Sequence, residues 1–135
     1  KDLKAAQRAA AQHQQVISEL SHLVSDIDRC EKTMTSLKGE LESANAHYPS
    51  PRSTRDDVAY LTALLDCAKQ KLAWEKQVGS LQKRAPEILQ RLTGYMTDPQ
   101  NPPEESLRLR MLECLQAVQQ AMERLAKATP DRSEN

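Results

Sequence analysis

The side chains with the greatest chemical potential in this chain are its three histidines and three cysteines. They are His13, His22, His47, Cys30, Cys67 and Cys114. A zinc site usually draws its ligands from closely spaced pairs such as C-x-x-C, and no pair of these residues has such a spacing. We therefore predict no metal site. We interpret the cysteines as small apolar residues on buried helix faces, in a protein of a reducing compartment.

Carboxylates crowd one short stretch, where Asp26, Asp28 and Glu31 lie close together. Paired carboxylates can carry out acid–base chemistry when a pocket shifts their pKa values. The sequence around them does not indicate such a pocket, so we interpret them as part of a solvated face. The chain has only three glycines, and it lacks the motifs G-x-x-x-x-G-K-[ST], G-x-G-x-x-G, H-E-x-x-H and G-x-S-x-G. We predict that the protein is not an enzyme and uses no cofactor.

Charge is balanced, with 19 basic and 19 acidic residues among 135. No segment carries the one-sided basic field that nucleic acid or an anionic membrane usually demands, although a charged stripe on one helix face is compatible with this balance. No apolar run approaches the ~20 residues that span a bilayer. We predict protein partners, no nucleic acid, no membrane insertion and a cytoplasmic location. Because the chain begins at Lys1 without Met, we expect it to be a piece of a longer protein.

Apolar periodicity predicts that long helices position these residues. From Ala9 to Ala44, an apolar or near-apolar residue recurs at alternating spacings of four and three, which is the pattern of a coiled-coil seam. Pro49 and Pro51 end this helix, and Ser53 is suited to cap the next one. Asn101 is the predicted cap of the third helix. The predicted elements are helices at about 2–46, 54–97 with a kink near Pro86, and 102–128, followed by a disordered tail at 129–135.

The seams predict how the helices pack. The first seam of the second helix runs through Val58, Leu61, Leu65, Ala68 and Leu72, and a new seam on another face runs from Trp74 to Tyr95. The third helix has the seam Leu107, Met111, Leu115, Val118, Met122 and Leu125. Short links make consecutive helices antiparallel. The predicted fold is all-α, an antiparallel three-helix bundle that continues into a two-helix coiled-coil hairpin, with Trp74 and Leu125 in the core of the junction.

This architecture favours a binding role. The leading hypothesis is a non-enzymatic coiled-coil scaffold or adaptor module that mediates protein–protein interaction within a larger cytoskeletal, centrosomal or trafficking protein. A homodimer through the hairpin end would complete a four-helix bundle. The alternative is a module that recognises a helix or peptide motif in a groove of the three-helix end. Apolar residues off the main seams could line that groove or simply widen the core; they are Leu64, Leu89, Leu109 and Cys114.

The first loop, NAHYPSPRSTRDD, also permits two interpretations. Ser50 precedes Pro51, and Arg52 and Arg55 follow nearby. We hypothesise that Ser50 is a proline-directed phosphorylation site, where a phosphate would face arginines and the N-terminus of the second helix. The alternative is a plain connector, since helix–helix links of this kind are commonly ~2–8 residues long.

Overall fold

The computed structural model describes residues 2–129. Within that range the chain forms three helices, α1 (Leu3–His47), α2 (Thr54–Met96) and α3 (Glu105–Ala128). The predicted all-α class is confirmed. Of the predicted tail, Thr129 is the C-cap of α3, and residues 130–135 lie outside the described residues.

The helix α1 buries one long apolar row. Asp2 caps it, since its carboxylate accepts hydrogen bonds from the backbone N–H groups of Lys4 and Ala5 at 3.1 and 3.3 Å. Apart from Ile17, which lies beside it, the buried residues belong to the predicted seam; they are His13, Val16, Ile17, Leu20, Leu23, Ile27, Cys30, Met34, Leu37 and Ala44. Across residues 2–129, no helix has an apolar stretch long enough to cross a membrane.

The two neighbours of α1 pack along different lengths of it. Both α2 and α3 pack against α1, whereas α2 and α3 approach one another closely at few backbone positions. At the far end of α1, the Tyr60 hydroxyl of α2 donates to Asn45 Oδ1 at 2.6 Å. Near its own C-terminus, Arg124 of α3 pairs with Asp28 and Glu31 at 3.0 and 3.7 Å. Contacts of α2 therefore extend to Asn45, while the last turns of α3 lie beside the middle of α1.

The predicted change of buried face along α2 is wrong. Val58, Leu61, Leu65 and Leu72 of the first predicted seam are 61%, 61%, 55% and 58% exposed. The face toward α1 runs instead through Tyr60, Leu64 and Cys67 to Trp74, all at least partly buried. These positions keep the four–three spacing of the residues after Trp74, so a single face of α2 packs on α1. Lys71 lies between Cys67 and Trp74 in this row, and a lysine there hides the apolar pattern in the sequence.

The buried face of α3 also differs from the prediction. Ala121 is completely buried, whereas the predicted seam residue Met122 is 39% exposed. Cys114, like Leu115, packs partly buried against the core. The prediction followed the larger side chains, but a small side chain at the contact lets two helices approach closely. The buried row keeps the coiled-coil period and runs through Leu107, Met111, Cys114, Val118, Ala121 and Leu125.

The helix α2 continues across its proline. Ser53 caps its start by accepting a hydrogen bond from the Asp56 backbone N–H at 3.1 Å. Pro86 lies within the helix with its ring exposed. Ala85 and Ile88 on either side of it are both buried, so the face toward the core is kept across the proline.

The helix α3 begins later than predicted. It starts at Glu105 with Glu104 as its N-cap, and not at 102 with Asn101 as the cap. The reason is the proline pair, because Pro103 biases the residue before it, Pro102, away from the α-helical region.

Candidate protein-binding surface

The three cysteines are distributed along the bundle. Cys67 Sγ lies 4.0 Å from Glu40 Oε2, ten residues or roughly 15 Å further along α1 than Cys30. Cys114 Sγ lies 4.0 Å from Ser21 Oγ. Burial raises the pKa of the Cys30 thiol, which keeps it protonated and a poor nucleophile. In the part of the chain that the structure describes, no three His, Cys, Asp or Glu residues are grouped to hold a metal ion.

The carboxylates of α1 contact arginines of the neighbouring helices. Asp26 pairs with Arg84 of α2 at 2.7 Å. Asp28 and Glu31 both face Arg124 of α3. They are partly buried, and not simply solvated as the sequence suggested. Ion pairs this exposed contribute only about 0–1 kcal/mol each to stability.

His13 is a buried polar residue in the N-terminal third of α1. It is 3% exposed, and its ring packs edge-on against Tyr95 with 5.4 Å between centroids. Burial lowers the pKa of His13, and the negative charge of Asp98 partly offsets that effect. The neutral imidazole is therefore the form that the core accommodates.

Stability should depend on pH through His13. An unfolded histidine titrates near pH ~6.5, so below that pH the unfolded chain binds a proton that the folded chain takes up only at lower pH. The melting temperature should fall as the pH is lowered from ~7.5 to ~5.5, and a His13→Gln variant should show a shallower fall. Calorimetry across this range measures both, with His22→Gln, an exposed position, as the control. Equal pH slopes in wild type and His13→Gln would contradict the assignment.

The outer face of α2 carries a continuous apolar row that the described residues leave uncovered. We call it the α2 stripe and define it as Val58, Leu61, Leu65 and Leu72, each more than half exposed. It has coiled-coil spacing, Ala68 lies within it, and its length is roughly 21 Å. Single exposed apolar residues are common on proteins, but a row of this length typifies an interaction surface.

An apolar groove lies beside the stripe, between α1 and α2. Its volume is about 260 Å³. We call it the hairpin groove; its lining residues are Met34, Leu37, Lys38 and Leu41 of α1 and Leu64, Cys67, Ala68 and Lys71 of α2. It begins at Met34, one turn beyond the Glu31 that pairs with Arg124 of α3. Leu41 belongs to the apolar row of α1 and is nevertheless 42% exposed, because α3 ends before it.

The four residues predicted to line a partner groove do not come together. Leu64 lies in the hairpin groove. Leu89 and Cys114 pack against the core, and Leu109 is 53% exposed on α3. Cys114 contacts Ser21, thirteen residues or roughly 20 Å before the start of the groove on α1. The groove that the structure contains thus lies further along α1. Of its α1 residues, Met34 and Leu37 are buried as predicted, whereas Leu41 is 42% exposed.

Trp74 and Leu125, the predicted junction residues, are 5% and 7% exposed. The indole Nε1–H of Trp74 donates to the backbone carbonyl oxygen of Cys30 at 2.8 Å. A buried indole thus has its polar atom satisfied, and the bond sets the position of α2 along α1.

The tip of the hairpin is organised by Arg52. Its guanidinium lies 4.0 Å above the Tyr60 ring, Nε donates to Asp57 at 3.1 Å, and Nη1 donates to the Tyr48 carbonyl oxygen at 3.1 Å. Ser50 is exposed beside it. A phosphate on Ser50 would therefore have to compete for Arg52 with these three groups, and phosphorylation at Ser50 stays a prediction.

Comparison of the chain with family models, with curated proteins and with solved structures gives no match.

Proposed function

We propose that this chain is a non-enzymatic helical scaffold or adaptor module that mediates protein–protein interaction. In this proposal the three helices form a bundle at one end, and α1 and α2 continue as a two-helix hairpin that presents the interaction face. The α2 stripe carries the proposal, because four large apolar side chains at helical spacing stay more than half exposed. Burying such a side chain completely contributes about 1.5–3 kcal/mol, so a helical partner would gain substantially from covering the row.

The cellular setting belongs to the same proposal. Cys30, Cys67 and Cys114 are free thiols, which supports a reducing, cytoplasmic location. A long rigid module with apolar binding faces would suit a larger cytoskeletal, centrosomal or trafficking protein, in which it holds partners at a set spacing.

We propose a second copy of the chain as the occupant of the α2 stripe. In an antiparallel pair with a two-fold axis at residue 63, Leu61 faces Leu65 of the second copy, and Val58 faces Ala68. On one edge, Asp57 comes near Lys71 of the second copy and can pair with it. On the other edge Arg55 comes near Lys69, but both are exposed and long enough to extend into solvent. Two hairpins joined in this way form a four-helix bundle.

Self-association should be concentration-dependent and should fail when the stripe is charged. The eight stripe side chains of two copies are only partly buried by pairing, and the gain is set against about 4–15 kcal/mol of lost translational and rotational freedom. We expect a weak dimer in sedimentation velocity, and a monomer at all concentrations for Leu65→Lys. Leu109→Lys is the matched control, because Leu109 is exposed to a similar extent on α3. A wild-type chain that remains monomeric up to millimolar concentration would refute the dimer.

The hairpin groove favours a second candidate function, recognition of a helix supplied by another protein. The groove is apolar on both walls and lies where no helix of the described residues covers it. Recognition of a helix in a groove uses such a surface, with apolar anchors one helical turn apart.

A further inference from the structure

We propose that the hairpin groove binds an amphipathic helix whose apolar row is flanked by carboxylates. The proposal rests on the proposed function only in taking the two-helix end as the interaction face. It goes further by stating which partner chemistry the groove selects.

The geometry of the groove continues an interface that the chain already uses. α3 lies along α1, with Arg124 in its last turns beside Asp28 and Glu31. The groove starts at Met34 and extends to Leu41, in the direction in which α3 would run if it were longer. A bound helix would therefore lie roughly in line with α3 and pack on α1 as α3 does.

The shape of the groove favours a helix over a small molecule. Its volume of about 260 Å³ is slightly below the ~300–1,000 Å³ of typical small-molecule sites. It also runs along two helices and is open to solvent, and half of its lining residues are Leu or Met. Side chains at i, i+3 or i+4, and i+7 of an incoming helix could enter such a trough in succession.

The charge of the groove-lining residues specifies the charge of the residues that flank the apolar row of the partner helix. The charged residues that line it are Lys38 on α1 and Lys71 on α2, and both are exposed. Where α3 packs, α1 instead presents Asp28 and Glu31 to an arginine. The sign of the charge that α1 presents to a neighbour therefore reverses between Glu31 and Lys38. A helix with basic flanks suits the α3 position, and a helix with acidic flanks suits the groove.

The test uses the full chain and two synthetic amphipathic helical peptides that share one Leu row, one with Glu flanks and the other with Lys flanks. Binding is measured by fluorescence anisotropy. We expect the Glu peptide to bind at least about tenfold more tightly than the Lys peptide, and we expect the double variant Lys38→Glu, Lys71→Glu to reverse that preference. Leu41→Arg should weaken binding of the Glu peptide, whereas Leu109→Arg on α3 should not. Circular dichroism and melting temperature confirm that each variant is folded.

Other outcomes separate this proposal from the proposed function. Equal affinity for both peptides, or a preference that the lysine reversal leaves unchanged, would overturn the charge assignment. If Leu65→Lys abolishes peptide binding and Leu41→Arg does not, the peptide lies on the α2 stripe. The groove proposal then fails, but the proposed function, which places the interaction face on α1 and α2, is retained. Failure of both peptides to bind, beside a dimer that Leu65→Lys disrupts, would refute the groove proposal alone.

Discussion

A Trp74→Ala variant is expected to lose about 3–5 kcal/mol of unfolding free energy, the usual cost of truncating a large aromatic side chain in a core. Trp74 is only 5% exposed. Its removal leaves a cavity, since the indole packs in the core cluster that all three helices share. It also removes the hydrogen bond that the indole donates to the Cys30 carbonyl oxygen. Urea unfolding followed by circular dichroism measures the change.

A Trp74→Phe variant separates these two contributions. It keeps most of the apolar volume but lacks the indole N–H, so it should lose less stability than the alanine variant. The fluorescence of the single tryptophan gives an independent check, because a buried indole emits at shorter wavelength than a hydrated one. Native emission at the wavelength of a water-exposed indole would contradict the position assigned to Trp74. An alanine variant within ~0.5 kcal/mol of wild type would do the same.

The second large effect is expected at Met111. This side chain is completely buried, so a Met111→Ala variant should lose about 2–5 kcal/mol. Met122 on the same helix is 39% exposed, and Met122→Ala should cost less than about 1 kcal/mol. The two substitutions are chemically identical and made in one helix, so the difference between them reports which face of α3 is buried.

Chemical denaturation of the two methionine variants gives that difference directly. Similar losses at both positions would mean that α3 is rotated so that Met122 also enters the core. That outcome would restore the seam predicted from the sequence, which contains both methionines, and would argue against Ala121 as the buried residue.

The α2 stripe and the core respond differently to substitution. Charged substitutions in the stripe should leave monomer stability nearly unchanged, because these side chains are more than half exposed in the isolated chain. Their effect should appear in assembly instead. A substitution that alters self-association but not the free energy of unfolding marks an interaction surface. We expect this behaviour at Leu65 and the reverse at Met111.

Much of α1 could be predicted from the sequence because its structure depends on local information. The four–three alternation of apolar residues specifies both the helix and the face it buries, and Pro49 and Pro51 mark where it must end. Among the residues of the candidate surface, Leu64 was recognised from the sequence as apolar and off the predicted seams. Leu41 could not be recognised, because its exposure depends on where α3 ends beside α1.

The orientation of α2 was decided by the tertiary structure alone. Two of its rows, one through Val58 and Leu65 and one through Tyr60 and Leu64, have the spacing of a buried face. At roughly 100° per residue the two rows are centred about 120° apart around the helix, so both cannot face α1, and local periodicity cannot choose between them. Packing against α1 decides between them. The Tyr60 row continues into Trp74 with the same four–three spacing, so one face of α2 can pack on α1 along its whole length. That choice leaves the Val58 row exposed, and so it creates the stripe on which the proposed function depends.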